Sequence, residues 1–150
     1  MRRYCAALLW AGLCAIPMAA QSNSEFKHMI ENYWKTWSLM DTDKSAAMYV
    51  KNPDAIFFDV TPMKYKGWTE YADGVKKAFG STASATFTPN DDITVSRHGD
   101  WAWTTDTFRG VLIAKDGKRS ELNGRHTAIW EKVHGKWLIV HDHVSVPMAE

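Results

Sequence analysis

The sequence predicts an α+β domain in which three helices cover one face of a curved antiparallel sheet. Two observations carry the prediction. Apolar and aromatic residues recur at three-and-four spacing between Glu25 and Met40, and the second half of the chain is all short strand-like segments separated by turn residues. Helices first and strands afterwards exclude the alternating pattern of a parallel α/β sheet. With no internal repeat or low-complexity segment, the length fits one domain.

The elements follow in order. Phe26, Met29, Ile30, Tyr33, Trp34, Trp37 and Met40 form the apolar stripe of a first helix, for which Ser24 is the candidate cap. Asp41-Thr42-Asp43 breaks that helix and can cap a second, short one through Met48 and Val50, ended by Asn52-Pro53. Ala55 to Val60 reads as a strand, and Thr61 to Gly67 as a hairpin or loop carrying Tyr65. A third helix opens at Trp68 and closes at Gly80. Ala85 to His98 carries a bend at Pro89-Asn90-Asp91-Asp92. Trp101 to Ala114 leads to the hairpin signal Asp116-Gly117, and Glu121 to Val133 leads through His134-Gly135 into the last strand.

Met1 to Ala20 reads as an export leader. A short basic start precedes an apolar run from Cys5 to Ala19, and Pro17-Met18-Ala19-Ala20 supplies the small residues of a cleavage site. The run is short of the roughly 20 residues a spanning helix needs, so cleavage after Ala20 is expected in place of a retained anchor. The expected domain is 21–150, periplasmic or secreted, with no membrane attachment after cleavage. Both cysteines, Cys5 and Cys14, fall in the leader, so the remaining domain has neither a disulfide nor a thiol nucleophile. Losing Arg2 and Arg3 takes the formal charge from +1 to −1, with neither sign clustered, and this excludes a nucleic-acid surface.

The last stretch, Gly135 to Pro147, reads as a turn feeding one long strand and is the richest in chemistry. Strict alternation places His141 and His143 on one face and Asp142 on the other, with Leu138, Val140 and Val144. A carboxylate among aliphatic side chains needs a partner, a shifted pKa or a cavity. Asp59 ends an apolar run, Phe57-Phe58, that would raise its pKa if it were buried. It reads either as a general base or as a strand-end cap. Tyr33 is either a hydroxyl donor in the site or a core residue. Trp34, Trp37 and Trp103 read as core and cavity wall, with Phe57 beside them. Arg125 is a candidate for an acidic ligand or for an ion pair with Glu131 or Asp106. The His141/His143 pair invites a metal reading with His126 or Asp106 as third ligand; the simpler reading is cross-strand bonding or a subunit face, and no metal or cofactor is expected.

This order of elements, ending in Gly-Lys-Trp-x-Ile-Val-His-x-His-x-Ser from Gly135 to Ser145, resembles the nuclear transport factor 2-like superfamily. Its SnoaL-like branch and the association domain of calcium/calmodulin-dependent protein kinase II are similar in pattern from Glu25 to Pro147. The resemblance implies a cone-shaped, strongly bent sheet on three N-terminal helices, the cystatin-like/SnoaL-like α+β barrel, with one cavity and commonly a homodimer through the sheet. The fold hosts isomerases, dehydratases, hydrolases and assembling modules. Ketosteroid isomerases of this superfamily carry an oxyanion-donating tyrosine that falls near Tyr33 and a general-base aspartate that falls on Asp59. Their protonated aspartate falls close to Thr127, leaving His126 as the nearest replacement donor. The arginines of the kinase domain's cavity fall near Thr105, Ala128 and Val144, so that anion-binding set is missing.

The expectation is an aromatic pocket for a small apolar or weakly acidic ligand, with Tyr33, Asp59, His126 and Asp142 as its polar members. Trp34, Trp37, Phe57, Trp103, Arg125, His141 and His143 are the candidate ligand contacts. In one reading Asp59 or Asp142 takes a proton and Tyr33 or His126 steadies the developing charge, without a cofactor. In the other, the domain binds or assembles without turnover.

Overall fold

The structure, a computed structural model, describes residues 18–148. The expected leader falls mainly on residues 1–17, which lie outside the described residues, as do both cysteines. Among the described residues no helix is long and apolar enough to cross a membrane.

Helix α1 spans Met18–Trp37. It starts upstream of the expected boundary, so Ser24 lies inside it, and the His28 ring N–H donates to the Ser24 carbonyl at 2.8 Å. Its apolar stripe is buried as expected at Phe26, Ile30, Tyr33, Trp34 and Trp37. Helix α2, Thr42–Ser45, is capped by Asp41, whose carboxylate accepts from the backbone N–H groups of Asp43 and Lys44. A 3-10 turn, Ala46–Met48, then delivers Tyr49 to the sheet, where it bridges to Ile139. Strands β1, Ile56–Phe58, and β2, Tyr65–Lys66, pair antiparallel, and α3 follows over Gly67–Ala78.

The second half holds five strands, one more than the four expected: β3 (Thr82–Pro89), β4 (Thr94–His98), β5 (Trp101–Ala114), β6 (Arg119–Val133) and β7 (Lys136–Ser145). The Pro89 to Asp92 bend separates β3 from β4. Asp92 secures the break by accepting from the Thr107 backbone N–H at 3.0 Å and the Thr107 hydroxyl at 2.6 Å. β3 pairs with the second half of β5 and β4 with its first half, so one long strand serves two neighbours along one edge. The sheet is curved and unclosed, in the order β2-β1-β7-β6-β5-β3, and β1 lies parallel to β7. Both expected hairpin turns form. Gly117 and Gly135 have φ of 86° and 82°, a region that glycine enters without steric cost.

The concave face packs on α1, and its residues alternate inward along β5 as Ala102, Thr104, Asp106 and Phe108, and along β6 as His126, Ala128 and Trp130. Phe108 lies over Gly124, where a Cβ would come within 2.4 Å of its ring. A side chain there would displace a wall of the interior.

β7 departs from strict alternation. Ile129 faces His141 while Trp130 faces Ile139, so Val140 is an extra residue, a β-bulge. The inward face therefore runs Trp137, Ile139, then Asp142, Val144. Asp142 does point away from His141 and His143, as expected. Its companions are not Leu138 and Val140, which the bulge leaves on the other side.

Candidate functional site

The bulge delivers Asp142 into the aromatic core with no solvent exposure. Three tyrosines from three different segments meet it there. Its Oδ2 accepts from the hydroxyls of Tyr33 on α1 at 3.0 Å, Tyr49 at 2.5 Å and Tyr71 on α3 at 3.5 Å, the last being long and weak. Burial first, and the Asp142 charge second, push all three phenols well above their ordinary range, so they stay neutral donors. A carboxylate accepting from hydroxyls is satisfied at a depth where an unpaired one would not be tolerated.

The other oxygen, Asp142 Oδ1, lies 3.0 Å from Nε2 of His126. The N–H points off the oxygen, so the contact is an ion pair without the alignment of a hydrogen bond. On its far side, His126 Nδ1 meets Asp106 Oδ1 at 2.7 Å, and Asp106 Oδ2 accepts from the Trp34 indole N–H at 2.7 Å. The buried chain is thus Asp142, His126, Asp106, Trp34. Burial alone would lower the His126 pKa, but the Asp142 charge and the Asp106 contact outweigh it and hold the imidazole at about 9. At neutral pH the ring between Asp142 and Asp106 is therefore an imidazolium. Tyr33 stacks on that imidazolium, with ring centroids 4.4 Å apart.

In front of this row lies a cavity of about 200 Å³. Trp34 and Trp37 of α1, Val75 of α3, Phe87, Phe108 and Val144 are among its walls, and Tyr33 and Tyr71 close its inner end. Asp59, just beyond β1, stands at the rim. Its Oδ1 accepts from the Val60 N–H at 2.7 Å. Burial raises its pKa to about 6, against the pull of that hydrogen bond and with help from the Asp142 charge. On its other side Asp59 borders a shallow groove with Met63 and His143, which gives the carboxylate a route to water.

The structure thus brings Tyr33, His126 and Asp142 into direct contact and sets Asp59 on the same cavity as Tyr33. It moves other expected contacts elsewhere. His126 and Asp142 are not walls of the cavity; they sit behind Tyr33, because the tyrosine ring covers them. Trp34 and Trp37 do line the cavity, whereas Phe57 is buried behind the wall, stacked on Tyr71. Trp103 is no cavity wall: the inward alternation of β5 leaves it on the outer face, 45% exposed and stacked on His98. Arg125, His141 and His143 lie on that outer face as well. Arg125 is exposed, and Asp106, one of its expected partners, is turned inward to His126. His141 Nδ1 donates to the Ile56 carbonyl at 2.7 Å. Among the described residues no three His, Cys, Asp or Glu side chains gather where they would hold a metal ion.

Sequence reasoning missed Tyr49 and Tyr71 and gave Asp106 no place in the site. A signal for Asp106 was present. The Asp116-Gly117 turn fixes the β5/β6 register, and counting outward from it sets Asp106 opposite His126. Tyr49 and Tyr71 had no such signal, because they reach Asp142 from separate segments.

Comparison with solved structures agrees with this architecture. A nuclear transport factor 2-like superfamily protein from Salmonella enterica superposes with a TM-score of 0.79 at 19% identity, covering 87% of this chain and 94% of that one. A protein similar to a calcium/calmodulin-dependent protein kinase II association domain, from Xanthomonas campestris, gives 0.69 at 22% identity, covering 91% and 93%. A scytalone dehydratase-like protein from Novosphingobium aromaticivorans gives 0.75 at 14% identity, covering 87% and 89%. At such identities the likeness shows the fold alone. None of the curated proteins matches by sequence. The family comparison is decisive: residues 27–149 match the SnoaL-like domain, and the chain belongs to that family.

Proposed function

We propose that this domain binds a small, mostly apolar molecule in the aromatic cavity and moves a proton on it through Asp59, without a cofactor. One observation carries the reading: a rim carboxylate with a pKa of about 6 faces an otherwise apolar interior. Such a group is largely ionised at neutral pH yet basic enough to accept a proton and return it. Its second border, on the surface groove, lets the proton exchange with water. An isomerase- or dehydratase-type step fits this arrangement, and one neighbour in fold is named for scytalone dehydratase. In this reading Asp142, His126 and Asp106 act as positioning residues: they hold the inner ends of Tyr33, Tyr71 and Trp34, which shape the cavity. Export is inferred with the function, supported by the basic start and apolar run of the leader.

Replacing Asp59 separates function from stability. Its folded pKa lies above its unfolded value, so the native state binds the extra proton between about pH 4 and 6, and stability falls as pH rises through that window. At pH 7 the ionised group is a net cost. Asp59→Asn is therefore expected to stabilise the protein by about 1–2 kcal/mol at pH 7, after discounting for its partial contact with solvent, and to do nothing at pH 4. Urea titrations at the two pH values measure this. The same variant is expected to lower turnover by about 100-fold, and wild-type turnover to rise with pH through about 6. A variant that keeps full activity rules out Asp59 as the base.

A second reading, a homodimer through the outer face of the sheet, is favoured by Trp101 and Trp103. They stand 49% and 45% exposed on that face, in register with Glu131 and Ile129 of β6. Adjacent exposed indoles on one sheet face mark an interaction surface. Light scattering is expected to find a dimer for the wild type and a monomer for Trp101→Ser combined with Trp103→Ser. A monomeric wild type at micromolar concentration removes this reading.

A further inference from the structure

The walls of the cavity carry four ring donors, and all four are turned away from it. The Tyr33 and Tyr71 hydroxyls go to Asp142, the Trp34 indole N–H goes to Asp106, and the Trp37 indole N–H goes to the Tyr49 hydroxyl at 3.3 Å. The Tyr33 and Trp34 bonds, at 3.0 and 2.7 Å to carboxyl oxygens, are the firmest of the four. Among the described residues no Lys, Arg or His lines it, and the Thr61 hydroxyl is the one side-chain donor left among the wall residues. The single charged wall residue is Asp59, whose Oδ2 meets no donor among the described residues. Behind the rings, the carboxyl groups of Asp106 and Asp142 flank the His126 ring.

An oxyanion formed inside this cavity would find one free side-chain donor among the wall residues, the Thr61 hydroxyl, and otherwise π-faces. The oxyanion-donor role expected of Tyr33 is therefore not available while its proton sits on Asp142. The same surroundings suit a ligand that donates hydrogen bonds and carries positive charge: aromatic walls attract a cation through their π-faces, and the rim carboxylate keeps a border on the surface groove. We propose that the ligand is an organic amine in its ammonium form, its apolar body among Trp34, Trp37, Phe87 and Phe108 and its N–H donated to Asp59 at the rim. Carboxylates of the same shape are rejected, including the ionised form of the weakly acidic ligand expected from the sequence.

This assignment rests on the reading that the cavity binds a small molecule; it does not depend on turnover. Three probes of similar shape test it on the purified protein at pH 7.5 by titration calorimetry: benzylammonium, benzyl alcohol and benzoate. Benzylammonium is expected to bind about tenfold more tightly than benzyl alcohol, with benzoate weakest, and the preference to shrink as salt is raised. Asp59→Asn, expected to be a stable variant, is expected to remove the advantage of the cation over benzyl alcohol. Benzyl alcohol or benzoate binding as tightly as benzylammonium overturns the amine assignment and leaves the cavity reading standing. So does a cation whose affinity Asp59→Asn does not change, because it then binds elsewhere. Failure of all three probes to bind removes the cavity reading, and the amine assignment with it.

Discussion

Asp142→Asn is expected to destabilise the protein by about 3 kcal/mol and to lower Tm by roughly 10 °C, although it conserves shape and sits outside the cavity wall. The carboxylate accepts from three tyrosines on one oxygen and pairs with His126 on the other. An amide cannot accept on both sides. If its oxygen faces the tyrosines, its NH2 confronts the Nε2–H of His126; if it is flipped, it presents donors to donors. The simplest relief is loss of the His126 Nε2 proton. The His126 pKa is then expected to fall from about 9 toward or below its ordinary value, which an NMR titration of the ring detects. A loss of less than about 1 kcal/mol with an unmoved His126 titration contradicts an anchoring role for Asp142. Because Tyr33 and Tyr71 are held at this oxygen, binding in the cavity is expected to weaken together with stability, unlike the effect of Asp59→Asn.

His126→Asn is expected to be still more damaging, at about 3–5 kcal/mol, because it leaves Asp106 and Asp142 as two buried carboxylates with no cation between them. The pH dependence of the wild type carries the same information with a definite sign. The folded pKa of about 9 lies above the unfolded value near 6.5, so the native state holds a proton that the unfolded chain has released. The contribution is complete below about pH 6.5 and disappears as pH rises through about 9, a total of about 3 kcal/mol. Urea titrations from pH 6 to 10 are expected to show this decline in the wild type and its absence in the variant, assayed near pH 6 where the wild type is firmest. The window lies above the one assigned to Asp59, so the two groups are separable in one pH series. A wild-type stability that is flat from pH 6.5 to 9 rules out a buried imidazolium.

The two carboxylates that stand out in the sequence behave in opposite ways. Asp59, half-buried with one backbone donor, is held in a state that costs stability at neutral pH. Asp142, fully buried, is surrounded by donors and stabilises the fold. Burial by itself does not separate a reactive acid from a structural one; the number and charge of the donors around it does.

The order of helices and strands, both glycine hairpins and the Asp41 cap were legible in the sequence, because each depends on residues within a few positions of one another. The opposition of His141 and His143 to Asp142 was legible too, since adjacent strand residues point apart. The face on which each group falls was not. A single extra residue at Val140 resets the alternation of β7, and nothing local distinguishes a strand with a bulge there from one without. The meeting of Tyr33, Tyr49 and Tyr71 at one oxygen is likewise a product of packing: three segments far apart in the chain converge only when α1 and α3 close on the curved sheet. Short-range sequence chemistry settled what the elements are. Long-range closure of the sheet decided which carboxylate is locked in the core and which one looks into the cavity.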